Sequence, residues 1–446
     1  MESSSTVTLE KIVSLCKRRG FVFQTAEIYG GLNGVYDFGP LGTLVKNNIR
    51  SLWSQAISNS LTKDIVFFEG SLLSPQAVWD ASGHTQNFHD PLVDCLNCRH
   101  RFRADDIDLN KPCSNCGIKK WTDVRQFNMM FKTALGAVED QSSIAYLRPE
   151  TAQAIFINFK NIYSTSRVKI PFGVAQIGKA FRNEITPKQF LFRMREFEQM
   201  EMEWFCKGET ALDFYKQWCG ARIAFYETIG INKEKIRLRP HAKDELSHYS
   251  TATSDVEYQF PFGWKELEGI AYRGDYDLSQ HMKHSGKDLA VFDEATKQSY
   301  IPHVVECSVG ADRLFLTLFF DAYSEDVVDG ETRIVLRFHP NVAPYKAAFF
   351  PLTKKQDEQM SKIYESMKKA GYSVSYDDSG SIGKRYRRHD EIGTPVCFTY
   401  DFESDTDHCV TVRHRDTMQQ ERIAIDRINS YLANLPQLFN QSQKVV

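Results

Sequence analysis

The chain has 446 residues, of which 42% are hydrophobic and 25% are charged, and its formal net charge is -2. This length exceeds one ordinary hydrophobic core, so two or three domains are expected, and the composition excludes a largely disordered chain. The charge excludes a binder that depends on bulk positive charge, although a local basic patch is sufficient to contact phosphates.

The amino-terminal segment MESSSTVTLEKIVSLCKRRG lacks the residue order of a secretory signal. No apolar run in the sequence reaches the roughly 18 residues that a membrane span requires. Ten cysteines in a chain of this length do not resemble a secreted disulfide framework. We therefore expect a cytoplasmic protein that does not contact a membrane.

Two helices are predicted near the amino terminus, over Leu9–Arg19 and from about Leu44. The segment YGGLNGVYDFGPLG, which contains five glycines, leads into the second helix. Apolar residues recur along this helix at helical spacing, and they form one face. They are Leu41, Val45, Ile49, Leu52, Trp53 and Ala56. Such a face packs either in the core of the chain or against a second copy of it.

Two CxxC pairs follow, Cys95 with Cys98 and, after fourteen further residues, Cys113 with Cys116. Each pair supplies half of a tetrahedral site from one tight turn, and four thiolates leave no open coordination position. Residues 91–122 therefore predict a small zinc-ribbon insertion in which the metal stabilises the fold. Four free thiols in an insertion without metal are the alternative.

The segment from Phe181 to Phe205 predicts two strands joined by a charged loop, and the two-residue period sorts its side chains by face. On the second strand one side carries Arg193, Arg195, Phe197, Gln199 and Glu201, and the other carries Met200, Met202 and Trp204. On the first strand Arg182 and Glu184 lie opposite Phe181, Asn183 and Ile185. Arginines, a ring and carboxylates on one face suit a polyphosphate, a base and an ammonium group. A solvated strand pair is the alternative.

Three further segments combine charge with turn signals. RPETAQ, from Arg148, predicts a helix opened by a proline and a glutamate. GWKELEGIAYR, from Gly263, carries Glu266 and Arg273, which form either a site or a salt-bridged turn. VVECSVGADR predicts a strand, a glycine turn and a helix with Arg313 near its amino terminus, where a phosphate is favoured.

The character of the chain changes after an acidic segment, residues 321–331, which predicts an exposed linker. Strands and helices then alternate, which predicts an α/β layer with a mostly parallel sheet. A helix near Ser381 to Asp390 concentrates basic residues around Tyr386, namely Lys384, Arg385, Arg387 and Arg388. This run is either a solvated face or a surface for an unpaired base and its phosphates.

These segments resemble the signature motifs of one enzyme family. FRNE, from Phe181, resembles the second motif of class II aminoacyl-tRNA synthetases, and its continuation RMREFEQMEMEWF resembles the glycyl-tRNA synthetase form. RPETAQ and GWKELEGIAYR match family segments, VVECSVGADR resembles the third class II motif, and the carboxy-terminal part resembles an anticodon-binding domain. The chain departs from the family at Ala154, where glycine is usual, and at Cys307, where proline is usual.

The resemblance implies an α+β fold with an antiparallel class II sheet, flanked by helices, in a catalytic domain of residues 1–325. It implies an anticodon-binding α/β domain over residues 331–446. It further implies that the enzyme uses ATP with Mg²⁺ to convert glycine to glycyl-adenylate, and then transfers the glycyl group to tRNA(Gly). The helix after GPLG belongs to the first class II motif, which implies a homodimer.

The resemblance also assigns site residues. Catalysis falls to Arg182, Glu184, Arg193 and Arg313. ATP binding falls to Arg182, Asn183, Glu184, Phe192, Arg193, Met194, Arg195, Glu196, Phe197, Glu266, Leu267, Gly310 and Arg313. Glycine binding falls to Arg103, Glu150, Phe197, Gln199, Glu201, Arg273, Glu306 and Ser308. tRNA binding falls to Lys384, Arg385, Arg387 and Arg388.

Several alternatives remain open on the sequence alone. Arg103 is equally a surface arginine, Glu150 is equally a helix-start charge, and either Arg193 or Arg195 contacts phosphate. A synthetase for proline, threonine or histidine is a second hypothesis for the function. A binding protein on a retired synthetase fold is a third, although such a protein tends to lose the arginines that this chain keeps.

Overall fold

The computed structural model describes residues 7–137, 143–246 and 250–442. Its α-helices are Leu9–Arg19, Pro40–Ser60, Gln76–Ala81, His84–Asn87, Ala152–Ser166, Gly208–Thr228, Tyr276–Ser285, Ala311–Ala322, Asp357–Lys369, Ile382–Ile392, Ser404–Asp407 and Ile428–Ser442. Short 3₁₀ helices include Glu27–Tyr29, Ala104–Asp106, Phe190–Phe192, Lys233–Lys235, Lys354–Gln356 and Ile425–Arg427. The predicted helix Leu9–Arg19 is confirmed, with Thr8 capping its amino terminus and Gly20 its carboxy terminus.

A seven-stranded sheet organises the amino-terminal part of the chain. Its strands, in spatial order, are Ile236–Pro240, Ala252–Phe260, Gly263–Gly274, His303–Gly310, Glu196–Cys206, Phe172–Phe181 and Ile65–Phe67. Each neighbouring pair is antiparallel except the last, which is parallel. The antiparallel sheet flanked by helices that the resemblance implied is therefore confirmed.

Smaller sheets surround the central one. One pairs Val22–Gln24 with Tyr36–Phe38, and another contains Leu73–Pro75, Ile144–Leu147 and Lys132–Ala134. The four-cysteine segment forms a sheet of Arg101–Arg103, His89–Asp94 and Arg125–Asn128. Two hairpins pair Val291–Asp293 with Gln298–Tyr300, and Tyr323–Val328 with Glu331–Leu336.

The helix predicted from about Leu44 begins earlier, at Pro40, because proline suits the first helical position. Its apolar face packs against the central sheet in the same hydrophobic cluster as Met202 and Trp204. Val45 and Trp53 are both 0% exposed. Val45, Ile49 and Trp53 of this face are therefore core, while Leu41, Leu52 and Ala56 are half-buried.

The predicted linker at residues 321–331 is wrong. The preceding helix continues to Ala322, and Tyr323–Val328 forms a strand that pairs with Glu331–Leu336. Asp326 of this segment binds Arg333, which lies just after it and is 1% exposed. Arg333 also binds Asp390. A buried guanidinium needs carboxylates around it, so this acidic stretch is a structural element rather than a solvated tether.

The carboxy-terminal sheet has the strand order Val374–Tyr376, Ala347–Pro351, Val396–Tyr400, Cys409–His414 and Gln420–Ala424. The first two pairings are parallel and the last two are antiparallel. The expectation of a mostly parallel sheet is therefore wrong, since two of the four strand pairings are antiparallel. Strands Cys409–His414 and Gln420–Ala424, which form these pairings, were not predicted. Helices Asp357–Lys369 and Ile428–Ser442 pack on it through the hydrophobic cluster around Phe349 and Phe398.

Within the described ranges, we found no helix with the length and apolar character needed to span a bilayer.

A fully buried ion pair lies between the central sheet and helix Gly208–Thr228. Arg222 Nε donates to Glu268 Oε1 over 2.7 Å, and both side chains are 0% exposed. The hydroxyl of Tyr226 donates to the other oxygen of Glu268 over 2.5 Å. Because solvent does not reach this position, the positive charge of Arg222 depends on Glu268 for its compensation.

We expect Glu268→Leu to lower the free energy of unfolding by about 3–5 kcal/mol, because it leaves the buried guanidinium uncompensated. The double variant Arg222→Met/Glu268→Leu removes both charges, so it should cost less than the single one. Urea-induced unfolding of the three proteins measures this order. A double variant that is less stable than Glu268→Leu would contradict it.

Candidate active site

A cavity of ≈ 360 Å³ opens on the polar face of the central sheet. Strands Gly263–Gly274, His303–Gly310 and Glu196–Cys206 form its floor, and the residues before Glu196 form one wall. Its lining residues are Glu150, Arg182, Glu184, Leu191, Phe192, Arg193, Met194, Phe197, Gln199, Glu201, Glu266, Gly269, Arg273, Glu306, Ser308, Gly310, Asp312 and Arg313. The predicted alternation holds here, since Phe197, Gln199 and Glu201 face the cavity while Met200, Met202 and Trp204 lie in the core.

Two arginines from distant segments line this cavity. Arg182 donates from Nε to the carbonyl oxygen of Pro149 over 3.1 Å, and its guanidinium lies 5.3 Å from the ring centroids of Phe88 and Phe197. Arg313, in the first turn of helix Ala311–Ala322, lies 4.5 Å from the Phe192 centroid. The aromatic contacts hold both guanidinium groups without neutralising them, although Arg313 also has a carboxylate neighbour, Glu266.

The predicted strand pattern fails over residues 182–195. The first strand ends at Phe181 and the second begins at Glu196, and a 3₁₀ turn lies between them. Only isolated cross-hairpin contacts remain there, such as Arg182 N to Arg195 O over 2.8 Å, and long-range backbone bonds are added to them: Asn183 N donates to Met129 O over 2.7 Å, and Arg195 N donates to Gly34 O over 2.8 Å. Strand period therefore does not determine where Arg182, Glu184, Arg193 and Arg195 point.

Arg193 and Arg195 are separated by this loop. Arg193 lines the cavity and approaches Glu184 Oε2 at 3.8 Å. The guanidinium of Arg195 instead donates to the backbone oxygens of Glu184 and Asn33, at 2.7 to 3.2 Å. Arg193 is thus available to a ligand, whereas Arg195 fastens the loop.

Three other residues predicted to bind ATP also lie outside the cavity lining. Leu267 is 1% exposed and belongs to the core. Glu196 pairs with Lys179 at 2.8 Å, and Asn183 contributes its backbone to the loop contact with Met129. The cavity wall is therefore made by their neighbours in sequence, among them Glu266, Phe197 and Arg182.

The rim of the cavity carries a carboxylate beside Arg313. Arg313 donates to the carbonyl oxygen of Glu266 over 2.8 Å and to its Oε1 over 3.2 Å. The Glu266 side chain is 53% exposed, so its second oxygen faces solvent and the cavity mouth. Glu266 thus pairs with Arg313 and not, as the alternative interpretation had it, with Arg273. Arg273 instead binds Asp277, at 2.8 and 2.9 Å, and Glu306.

The deep end of the cavity collects carboxylates. Thr151 Oγ1 donates to Glu201, and Gln199 bridges Thr151 N and Ser308 Oγ at 3.1 and 3.3 Å. Burial, together with the nearby charges of Glu306 and Glu150, raises the pKa of Glu201 to about 8. Burial likewise raises the pKa of Glu306, although Arg273 opposes the rise. A cationic ligand would relieve this accumulation of buried negative charge.

Glu150 behaves differently from its neighbours. Burial would raise its pKa, but His84 and Arg273 hold the pKa well below its usual range. Its Oε2 lies 3.2 Å from His84 Nε2, and Gln153 Nε2 donates to its Oε1 over 3.1 Å. The helix starts only at Ala152, so Glu150 precedes it and is not a helix-start charge.

Two neighbours of these carboxylates, Glu203 and His84, were not predicted from the sequence. Glu203 lies on the same strand face as Glu201, is 0% exposed and, among the described residues, has no hydrogen-bond partner for either side-chain oxygen. The two-residue period that selected Glu201 could have found it. His84 lies in a short helix far along the chain, so no local pattern indicated it.

The two residues that depart from the family pattern, Ala154 and Cys307, both lie outside the cavity. The methyl group of Ala154 packs against Gly70, where an added Cβ would come within 2.5 Å of it. Cys307 sits within strand His303–Gly310 and is 0% exposed on the core face. Neither residue lines the cavity. The turn before helix Ala311–Ala322 therefore does not depend on a proline at 307.

Arg103 does not line the cavity either. Its guanidinium lies 3.3 Å from both Asp90 and Asp105. It is nonetheless close to the wall: burial raises the pKa of Glu184, and the charges of Arg193, Arg182 and Arg103 oppose that rise. In this structure Arg103 acts on the site through charge and not through contact.

The four cysteines converge on one point. Cys95 Sγ lies 3.6 Å from Cys116 Sγ, Cys98 Sγ lies 3.8 Å from Cys113 Sγ, and all four sulfurs lie within 4.8 Å of one another. Four thiolates at about 2.3 Å from a tetrahedral zinc would be ~3.8 Å apart. The donor set and its spacing therefore fit a structural zinc ion.

The basic run near Tyr386 is mostly structural. Arg385 is 5% exposed and donates to the carbonyl oxygens of Gly380 and Pro351, and Arg388 binds Asp377 at 2.6 Å. Tyr386 packs beside Phe350 and bonds to Thr399 Oγ1 at 2.8 Å. Arg385 and Tyr386 are thus engaged in contacts within the fold, and binding of RNA by this run stays a prediction. Lys384 is exposed and Arg387 is half-buried.

Comparisons with known proteins agree with this geometry. Residues 131–323 match the tRNA synthetase class II core domain (G, H, P, S and T), and residues 346–435 match the anticodon binding domain. The chain is 52% identical to the glycine--tRNA ligase of Caldanaerobacter subterraneus, over 96% of this chain and 98% of that protein. It is 50% identical to the glycine--tRNA ligase of Geobacillus thermodenitrificans, over 97% and 98%.

The fold is also similar to a solved structure of low sequence identity. Prolyl-tRNA synthetase from Cryptosporidium parvum, complexed with L-proline and AMP, superposes with a TM-score of 0.66 at 14% identity. The match covers 97% of this chain and 78% of that one. The cavity is lined by arginines and has a carboxylate-rich end, and the identity to two glycine--tRNA ligases extends over nearly the whole chain. The chain therefore belongs to the glycine–tRNA ligase family of class II aminoacyl-tRNA synthetases.

Proposed function

We propose that this chain attaches glycine to tRNA(Gly) in two steps, through a glycyl-adenylate intermediate. The observation that carries the proposal is that Arg182 and Arg313 line one cavity whose deep end holds Glu150, Glu201 and Glu306. Arginines suit the phosphates of ATP, and carboxylates suit the ammonium group of an amino acid. The name of the relatives supports glycine as that amino acid.

The carboxylates would fix glycine by its ammonium group, with Gln199 and Ser308 completing the polar floor. Glycine has no side chain to bind, so selection must come from excluding larger substrates. Exclusion by size is strong, and glycine has no smaller competitor among the amino acids. An editing domain is therefore not required for discrimination.

The arginines would stabilise the charge that develops when the glycine carboxylate attacks the α-phosphate. We assign the α-phosphate to Arg182 and the terminal phosphates to Arg193 and Arg313, with Phe197 packing on the base. Fixed guanidinium groups stabilise such charge without reorganising, and no nucleophilic side chain is needed. Glu184, beside Arg193, would orient the loop that carries these arginines.

Class II synthetases use ATP with Mg²⁺, and the oxygen donor suited to that ion here is Glu266 on the cavity rim. When bound, the ion neutralises phosphate charge. We further infer that the four cysteines hold zinc, that the working protein is a cytoplasmic homodimer, and that residues 1–325 and 331–446 form the catalytic and anticodon-binding domains. Lys384 and Arg387 are the residues of the basic run that we retain for tRNA.

The central prediction concerns Arg182. We expect Arg182→Ala to reduce glycine-dependent exchange of pyrophosphate into ATP by about 100-fold or more, because it removes a fixed donor to the transition state. The thermal midpoint should change little, and Arg427→Ala, at an exposed arginine, is the control. Normal exchange by Arg182→Ala would remove this residue from the mechanism, and preferential activation of proline, threonine or histidine in the same assay would identify a different synthetase.

A second prediction concerns the cysteine cluster. We expect metal analysis to find about one zinc per chain, because four thiolates form one closed shell. Chelation should then make residues 91–128 sensitive to protease, since the folding free energy of such a ribbon comes largely from the metal. Cys98→Ser should have the same effect without chelator. A metal-free protein that resists the protease as well as the native one would contradict the assignment.

A third prediction concerns the carboxy-terminal surface. We expect Lys384→Ala to weaken tRNA binding and to lower the salt dependence of binding by about one unit of slope, because one phosphate contact is lost. Pyrophosphate exchange should not change. The control is Lys369→Ala, at an exposed lysine of helix Asp357–Lys369, which packs on the other face of the sheet. Equal loss of tRNA charging and exchange would show that Lys384 supports the fold instead.

A further inference from the structure

The ionised Glu150 is held on its far side by a histidine that does not line the cavity. His84 Nε2 lies 3.2 Å from Glu150 Oε2, while Gln153 Nε2 holds the other oxygen at 3.1 Å. The side chains of His84 and Glu150 are 12% and 17% exposed. Water therefore has little access to replace either contact.

The second nitrogen of the ring is held by a serine. His84 Nδ1 lies 2.8 Å from Ser82 Oγ, and Ser82 Oγ lies 3.3 Å from the carbonyl oxygen of Trp79. An ionised carboxylate can only accept, so the contact with Glu150 uses an N–H at Nε2 of His84. Ser82 thus fixes the orientation of the ring that presents this donor to Glu150.

The ring is also fixed by packing. Trp79 meets it edge-on at 5.4 Å between centroids, and Phe88 packs at 5.5 Å. Phe88 is the same ring that supports the guanidinium of Arg182. Asn128 Nδ2 bonds to the backbone oxygens of His84 and Thr85, both over 3.3 Å. One short segment, residues 79–88, thus supports a residue at each end of the cavity.

We propose that His84 is a positioning residue for amino-acid binding, which keeps Glu150 ionised and directed at the ammonium group of the substrate. The proposal rests on the function proposed above for this cavity. Glu201 and Glu306 line the same cavity as Glu150, and negative charge on either of them favours a proton on Glu150. The N–H that His84 directs at Glu150 opposes that effect, because a hydrogen bond to the ionised form of a carboxylate favours that form.

Two substitutions of similar size separate the contact from the bulk of the ring. The amide nitrogen of His84→Gln can reach the position of Nε2 and donate to Glu150, whereas that of His84→Asn reaches only the position of Nδ1. We expect His84→Asn to raise the KM for glycine by about 10-fold or more, the loss expected for a hydrogen bond to a charged group. His84→Gln should stay within about 3-fold of the native value, since it keeps a neutral donor in place.

The KM for ATP separates this role from a structural one. It should remain native in His84→Asn, because ATP does not contact Glu150 in the proposed arrangement. Exposed His284 supplies the matched control, and His284→Asn should leave both constants unchanged. Thermal unfolding of each variant verifies that the protein is folded. If His84→Asn does not fold, Ser82→Ala tests the same contact, because it removes the partner that orients the ring.

A double-mutant cycle determines whether His84 acts through Glu150. In a Glu150→Gln background, His84→Asn should change the KM for glycine by less than about 2-fold, because contacting residues are not additive. Full additivity, or equal KM values for His84→Asn and His84→Gln, would overturn the role of His84. A native enzyme without glycine-dependent exchange would overturn the proposed function itself, and this inference with it.

Discussion

The site depends on a buried ion cluster beneath the central sheet. Lys46, on helix Pro40–Ser60, lies 2.9 Å from Glu198 and 2.5 Å from Asp312, and its side chain is 5% exposed. Burial would lower the pKa of Lys46, but the two carboxylates raise it, so the ammonium stays charged. Asp312 also accepts from the backbone N–H of Glu198 over 2.6 Å. Such a cluster adds little net stability, and what it provides here is a fixed arrangement of three elements. Because Arg313 follows Asp312 directly, this cluster also fixes the position of Arg313 at the cavity.

Strand Glu196–Cys206 shows how one segment gives opposite electrostatics to two faces. On the core face, burial would raise the pKa of Glu198, but Lys46 and Arg50 lower it. On the cavity face, Glu201 and Glu203 have raised pKa values because burial and neighbouring carboxylates act together. On the core face the opposite charges compensate one another, and these ion pairs fix the position of the strand. On the cavity face the carboxylates lack compensating positive charge, which a cationic ligand would supply. The two-residue alternation of one strand therefore separates the residues that position the site from those that face the ligand.

Local periodicity predicted this part of the site because a regular strand was actually formed there. The same period assigned Glu306 and Ser308 to one side, and both line the cavity. It failed for Arg195, whose direction depends on the backbone of Asn33 and Gly34, residues that no local window includes. A count of charges also did not predict the internal contacts of the basic run, because Arg385 and Tyr386 lie on the side of an amphipathic helix that packs against the sheet. His84 could not be predicted as a site residue, because its contact with Glu150 joins two segments that are distant in sequence and meet only in the folded chain.

The two halves of the chain are joined by charges of the same buried kind. Asp390, 1% exposed, binds Arg333 of the Tyr323–Leu336 hairpin at 3.3 Å and Arg413 of the carboxy-terminal sheet at 2.9 Å. Its neighbour Glu391 binds Arg18 and Arg19 of the first helix. Removing one partner of the buried Arg333–Asp390 pair would leave an uncompensated charge, so this contact resists separation of the halves, whereas the more exposed pairs of Glu391 add little. Helix Ile382–Ile392 carries this junction at one end and Lys384 at the other. The placement of this helix against the Tyr323–Leu336 hairpin is therefore fixed by a buried ion pair and not by a flexible linker.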